Sequence, residues 1–284
     1  MNELTIRPVT RIRCGWRSKF GIPRQSGLLS TNLGLIVFEE GFAREEALRG
    51  LEAFSHIWLI WGFSESPERG SLTVRPPRFG GNERLGVFAT RSPVRPNPLG
   101  LSAVKLEGMV RLPQDGFHTK ENPQTGRAEP EELPGLAALA QELGQDALCE
   151  LSELLNDEEL YGSSVLVVSG ADLLDGTPIY DIKPYVPYAD SIDASEGWAG
   201  KPEKKLTPVF APGVGEKLTE WQRRRIEDVL AYDPRPAYQD DPARVYRFEL
   251  GGLRVAFRAD SKTATVTEAA DLTEDNDLNK DRAR

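Results

Sequence analysis

Two cysteines, Cys14 and Cys149, and two histidines, His56 and His118, are all that 284 residues offer of these two metal-ligating residue types. So few, spread so widely, give neither a disulfide framework nor a zinc-ligand spacing, and they fit a reducing compartment. No metal site is expected. No run of eighteen apolar residues is present to span a bilayer, and no basic segment leads into an apolar one as in a signal peptide. A cytoplasmic location with no membrane partner is the expectation. Common catalytic signatures are missing as well. There is no GxSxG elbow, no Walker loop, and no GxGxxG in an alternating strand and helix pattern.

A net charge of −9 argues on its face against a polyanionic partner. Its distribution argues otherwise. Residues 1–110 hold 15 Lys and Arg against 10 Asp and Glu, a net of +5, whereas residues 111–160 hold 3 against 12, a net of −9. Residues 161–284 add 17 against 22, a net of −5. Local fields steer polyanions, so the arginine-rich first part is the half that suits a nucleic acid. Its richest stretch is RLGVFATRSPVRPNPLGLS, Arg84–Ser102, with three arginines and three prolines. The prolines fix φ and remove backbone donors, which excludes helix and central strand from its middle. A stiff loop that displays guanidinium groups suits a carboxylate or phosphate, because the fork makes two parallel charge-assisted bonds.

The remaining chain reads as a scaffold for that loop. Alternation predicts strands over Leu4–Arg13 and Leu101–Val110, Leu33–Phe38 and Ser163–Ser169 also read as strands, and the apolar run Ser55–Phe63 predicts a buried one. Ala47, Leu48, Leu51 and Phe54 predict a short amphipathic helix over Arg44–Phe54. An acidic excursion at about 112–161 interrupts this pattern. It starts as a polar, flexible loop over Gln114–Pro134, and Leu136, Leu139, Leu143, Leu151, Leu154 and Leu155 then mark one helix. Its plainest reading is a tolerated surface insertion. After a polar linker over Ser191–Pro208, Leu218, Trp221, Arg225 and Val229 share a helix that stops at Asp233-Pro234-Arg235-Pro236. Val245–Leu250 and Leu253–Ala259 flank Gly251-Gly252 as a hairpin, and Thr263–Glu268 adds a third strand. The fold class is mainly β: a compact β-barrel N-terminal domain over 1–200 with a helical insertion, plus a small α+β C-terminal domain over 205–270. A disordered tail is expected over 271–284.

A site on such a barrel lies in loops at one rim. Three segments are candidates: Pro23-Arg24-Gln25, Arg75 to Arg95, and Asp172 to Tyr188. Asp172, Asp175 and Asp181 suit a ribose hydroxyl, a cationic centre or an exocyclic amine, and Tyr185 and Tyr188 suit base stacking. Each also has a plain structural role open to it. Asp175 can cap the turn Asp175-Gly176-Thr177-Pro178, Lys183 can pair with Asp181, and the tyrosines can be core. His56, inside SHIWLIWGF, reads as a buried structural histidine, and His118 as inert.

Four segments together resemble the tRNA methyltransferase O, or TsaA-like, family of tRNA N6-methyltransferases acting on threonylcarbamoyladenosine 37. They are GIPRQSGL (Gly21–Leu28), GLEAFSHIWLIWGF (Gly50–Phe63), RPPRFGGNERLGVFATRSPVRPNPLGLS (Arg75–Ser102) and DGTPIYDIKPYVPYAD (Asp175–Asp190). The resemblance covers about residues 4–195 and extends to AYDPRPAY, Ala231–Tyr238. It implies a homodimeric β-barrel enzyme that holds S-adenosyl-L-methionine in loops and acts on the anticodon loop of tRNA. It implies cofactor contacts from Pro23, Arg24 and Gln25, from Arg91 and Leu101, and from the turn Ser169, Gly170, Ala171 and Asp172. Ser64 and Glu65 belong to the same implied set. Relatives of the enterobacterial form read His-Gln there, so this corner is expected to differ. Arg95, with Arg84 second, is the expected grip on the threonylcarbamoyl carboxylate. Asp175, Lys183 and Tyr185 are candidates for substrate positioning or proton relay. The alternatives are a noncatalytic S-adenosylmethionine-binding protein and a methyltransferase on another RNA or small-molecule acceptor, since fold does not fix function.

Overall fold

The alternating segments become strands that close on one another. The structure is a computed structural model, and it describes residues 4–66, 72–76, 84–115, 119–121, 128–130, 136–195, 197–198, 205–236 and 241–272. In chain order the elements begin with β1 (Thr10–Cys14), β2 (Leu33–Phe38), α1 (Glu45–Leu48), β3 (His56–Gly62), β4 (Thr73–Val74), β5 (Leu85–Gly86) and β6 (Leu99–Arg111). The excursion supplies β7 (Thr119–Glu121), β8 (Ala128–Pro130), α2 (Leu136–Leu143) and α3 (Gln145–Leu155). Then come β9 (Ser164–Ser169), β10 (Pro178–Pro184), α4 (Pro187–Asp190), β11 (Thr207–Phe210) and α5 (Glu220–Ala231). β12 (Tyr246–Leu250), β13 (Leu253–Ala259) and β14 (Thr263–Asp271) follow.

Six strands form a closed barrel in the order β1-β10-β3-β6-β9-β2, every pair antiparallel. Closure leaves no strand edge within the ring to pair with another chain. Ile12, Ile36, Ile57, Leu59, Val104, Leu166, Val168 and Ile179 point inward and fill it, so the barrel is packed rather than hollow. One residue of β6 falls out of register. Leu106 pairs with Val168 and Gly108 with Val167, which leaves Glu107 as a bulge. The bulge reverses the facing of β6: Val104 packs inside the barrel, while Val110 packs outside it.

That outer face carries the excursion. Leu136, Leu139, Leu148, Leu151 and Leu155 bury against Leu35, Val110, Val165 and Val167, so the excursion supplies a second hydrophobic core. It is therefore not the peripheral addition expected from sequence. The expected single helix is two, α2 and α3, separated at Gly144. Two further expectations are corrected in the same way. The helix over Arg44–Phe54 is one turn, α1, followed by a 3-10 turn over Leu51–Ala53, with Gly50 between them. Strand pairing in the first segment begins at Thr10 rather than Leu4. The polar loop at Gln114–Pro134 and His118 lie largely or wholly outside the described residues, as do residues 77–83 of the long motif.

The C-terminal part is a four-stranded sheet, β11-β14-β13-β12, with α5 packed alongside β11. Thr219 caps α5 through a reciprocal box with Gln222, and Ile226, Val229 and Leu230 form its buried face. Gly251 and Gly252, at φ 54° and 78°, make the two-residue hairpin that the sequence predicts. β11 begins in the last two residues of the expected linker, and Asp271 still pairs with Leu253, so the first residue of the expected tail belongs to the sheet. Residues 273–284 lie outside the described residues. Trp16 joins the two parts, its ring 6.5 Å from Phe248, and one continuous apolar cluster runs from the barrel into the C-terminal sheet.

Candidate functional site

Three loops meet at the barrel mouth where β6 begins and β9 ends. The backbone N–H of Gly27 donates to the Gly170 carbonyl at 2.8 Å, which joins the first loop to the turn after β9. Arg91, from the Pro-rich loop, donates through Nη1 to Gln25 Oε1. Asp172 lies among them. Its Oδ1 accepts from Ser102 Oγ at 2.6 Å, and Ser102 Oγ accepts from Trp61 Nε1 at 2.9 Å. Trp61 fits because its partner in β6 is Gly100, where any Cβ would overlap the indole. Burial raises the Asp172 carboxyl above its usual range. Hydrogen bonds from Ser102 and the backbone, together with the Arg91 charge, pull it back.

Sequence reasoning passed over the residues that hold this mouth together. Asn32 is buried, accepts from Trp16 Nε1 at 2.8 Å through Oδ1, and donates through Nδ2 to the Ala171 carbonyl. Its own carbonyl accepts from Gly170 N–H at 2.9 Å. The amide thereby fixes the turn that carries Asp172. Ser102 had a visible signal, a hydroxyl at an inward position between Gly100 and Val104 in an apolar alternation.

Other expected residues direct their side chains to partners outside this group. Arg24 donates through Nη2 to the carbonyls of Asp233 and Arg235 in the C-terminal part. The Ser169 hydroxyl donates to Glu107 on the outer side of the barrel. Leu101 is 52% exposed, and it pairs with Ile60 on the face opposite Ser102. Ser64 and Glu65 form an exposed turn after β3, where Lys19 Nζ donates to the Glu65 carbonyl. Arg95 is half-buried and donates to the Thr90 carbonyl of its own loop at 3.1 Å, while Arg84 donates to Thr73 Oγ1 at 2.9 Å. Asp175 Oδ1 accepts from Cys14 N–H at 2.9 Å, a structural role that ties its turn to β1 rather than capping the turn itself.

The expected third rim segment is divided. Asp175 precedes β10 and Tyr185 follows it, so seven strand residues, at about 3.3 Å each, separate their ends. Lys183 pairs with Asp181 at 2.9 Å, and Tyr185 lies against Trp58 with ring centroids 5.5 Å apart. His56, expected to be buried, is exposed beside Tyr185, with Nδ1 3.0 Å from Ser55 Oγ. The strand alternation that buries Ile57 and Leu59 turns His56 outward. Among the described residues no cluster of three His, Cys, Asp or Glu could hold a metal ion.

Comparison with known proteins shows where this architecture belongs. The tRNA-methyltransferase O N-terminal domain matches residues 11–117 and 149–191, and the TrmO C-terminal domain matches residues 203–272. The chain belongs to the tRNA-methyltransferase O family. Within that family it is 34% identical over 269 residues to the tRNA (adenine(37)-N6)-methyltransferase of Escherichia coli strain K12, covering 91% of this chain and 94% of the relative. It is 30% identical over 190 residues to a Methanothermobacter thermautotrophicus protein named "Probable S-adenosyl-L-methionine-binding protein", covering 67% and 96%. The crystal structure of TrmO from Pseudomonas aeruginosa superposes with a TM-score of 0.62 at 28% identity, covering 95% of this chain and all of that one. The tRNA-methyltransferase O match leaves out residues 118–148, which include β7, β8 and α2.

Proposed function

We propose that this chain is an S-adenosylmethionine-dependent tRNA methyltransferase that methylates N6 of adenosine 37 once that base carries a threonylcarbamoyl group. One observation carries the reading: Arg91, Gln25 and Asp172 converge on one barrel mouth in a chain that matches the family in both its parts. The donor set suits the cofactor. A recessed carboxylate favours a cationic centre, and an arginine beside it favours a carboxylate, which are the charges of a sulfonium amino acid. We assign cofactor contact to Pro23, Gln25, Arg91, Gly170, Ala171 and Asp172. When bound, the cofactor supplies an electrophilic methyl group.

The chain's own residues hold, orient and shield. Asp172 opposes the positive centre, and Ser102 and Trp61 fix its orientation from inside the barrel. The stretch from Pro93 to Pro98 stiffens the loop carrying Arg91 and Arg95, so one short piece of chain positions both reactants. Arg95 is assigned to the carboxylate of the modified base. The N6 proton has to leave during methylation, and Asp172 is the carboxylate at this mouth able to receive it. Lys183 and Tyr185 lie too far along β10 from Asp175 to act with it within one chain, which leaves them outside this assignment.

We assign the chain to a cytoplasmic homodimer. The resemblance to the tRNA-methyltransferase O family supports the dimer, and no described helix is long and apolar enough to cross a membrane. Mass spectrometry of tRNA from cells lacking the protein tests the reaction. Loss of the methyl group from methylated threonylcarbamoyladenosine is expected, and an unchanged profile refutes the reading. Purified protein that binds S-adenosylmethionine yet transfers no methyl to tRNA supports the binding-protein alternative, which the Methanothermobacter relative's name favours.

A further inference from the structure

The motif AYDPRPAY has no role in the mouth described above, yet its described part, Ala231–Pro236, is held with unusual care. Asp233 stands at φ 47°, the one described residue other than glycine in the left-handed region. Such a conformation costs energy and persists only where its surroundings enforce it. Arg235 enforces it: Nε donates to Asp233 Oδ1 at 2.8 Å and Nη2 to Asp233 Oδ2 at 3.0 Å. The same guanidinium is buried and reaches the carbonyls of Ala259 and Asp260 at 3.0 and 3.1 Å, which anchors the turn to the C-terminal sheet. The turn presents the carbonyls of Asp233 and Arg235 outward, and Arg24 Nη2 donates to both, at 3.3 and 3.0 Å. Arg24 belongs to the first mouth loop. Its neighbour Gln25 accepts from Arg91, and Gln25 Nε2 donates back to the Arg24 carbonyl.

We infer that Arg24 is a positioning residue that ties the cofactor loop to the strained Asp233-Pro234-Arg235 turn, so that the C-terminal domain sets S-adenosylmethionine affinity without touching the cofactor. This rests on the cofactor reading of the mouth. The loop has an independent backing on the same side, because Phe20 stacks on Tyr246 and a Cβ at Gly21 would press on Phe248. Arg24 adds the polar tie nearest to Gln25 and Arg91. A guanidinium is suited to it because one nitrogen can be shared between two carbonyls while the planar group keeps its direction.

A double-mutant cycle on the full chain tests the inference. S-adenosylmethionine affinity is measured by calorimetry, and KM and kcat with tRNA, for Arg24→Ala, Arg24→Lys, Asp233→Gly and the Arg24→Ala/Asp233→Gly pair. Glycine accepts the left-handed φ, so Asp233→Gly removes the carboxylate that Arg235 grips without forbidding the turn. Each single change is expected to weaken cofactor binding and raise its KM about fivefold, with kcat at saturating cofactor within about twofold. The pair is expected to be no worse than either single change, and lysine to restore part of the loss. Two results overturn the inference alone: wild-type binding with Arg24→Ala unaffected, or losses that multiply in the pair, as expected of a direct cofactor ligand. A wild-type chain that gives no S-adenosylmethionine heat overturns the cofactor reading, and this inference with it.

Discussion

At Asp172, the proposed role and stability pull in opposite directions. Burial raises its carboxyl above the usual range, and the contacts from Ser102, the backbone and Arg91 offset that only in part. A carboxyl raised in the fold contributes most when protonated. Its contribution is complete below the ordinary carboxylate value of about 3.9, and is lost as pH rises through the folded value. At neutral pH the charge is therefore a cost to the fold. Asp172→Asn keeps the acceptor for Ser102 and is expected to melt at or above the wild-type temperature at pH 7. The same variant should bind S-adenosylmethionine at least about tenfold more weakly, a loss of about 1.4 kcal/mol. Melting well below wild type would show that the charge serves the fold instead. Arg95→Ala is expected to lower turnover by roughly 10- to 100-fold, the range for losing a charge-assisted bond, with cofactor binding retained. Full methylation by that variant removes Arg95 from the substrate site. Burial pushes the Cys14 thiol up to about 12, so thiol reagents should label Cys14 only after unfolding, as read by peptide mass spectrometry.

Strands with one buried face were legible in the sequence to within a residue or two, because alternation states both the element and its facing. β12, predicted over Val245–Leu250 and found over Tyr246–Leu250 with alternate residues buried, is the example. The helical cover was less legible. SSVLVVS, Ser163–Ser169, is apolar without alternation, and a strand of that kind is buried on both faces. Leu166 and Val168 face the barrel interior, while Val165 and Val167 face the leucines of α2 and α3. Reading that run as two-sided would have placed the excursion on the barrel. Leu151→Ala is expected to cost about 2–5 kcal/mol, checked by chemical denaturation, with methylation at low temperature spared. The mouth was legible in its loops but not in its supports. Asn32 acts through contacts with Trp16, Gly170 and Ala171, which only the fold brings together. Lys183 and Tyr185 follow Asp175 closely in sequence, yet the length of β10 separates them from it.

The parts of the molecule are joined by charge as well as by Trp16. Glu150, on α3, accepts from Trp221 Nε1 at 2.8 Å and pairs with Arg225, both on α5, and Arg225 is 4% exposed. Removing one member strands the other in a medium that solvates it poorly. Glu150→Ala is expected to cost about 3–5 kcal/mol in a urea titration, whereas Glu150→Leu with Arg225→Met should recover most of it. A double variant as unstable as the single one would show that the pair itself, rather than its desolvation, holds α3 to α5. The bulge at Glu107 governs how far such joints can change. Glu107 takes up one residue, so β6 works as two half-strands of opposite phase. The half ending at Leu106 answers to the mouth, and the half beginning at Gly108 answers to the helices. Their amino acids can vary separately: the helical cover can be rebuilt without turning Ser102 from Asp172, and the mouth retuned without uncovering Val110. Deleting Glu107 would couple the two halves in a single phase, and one of those partnerships would have to be given up.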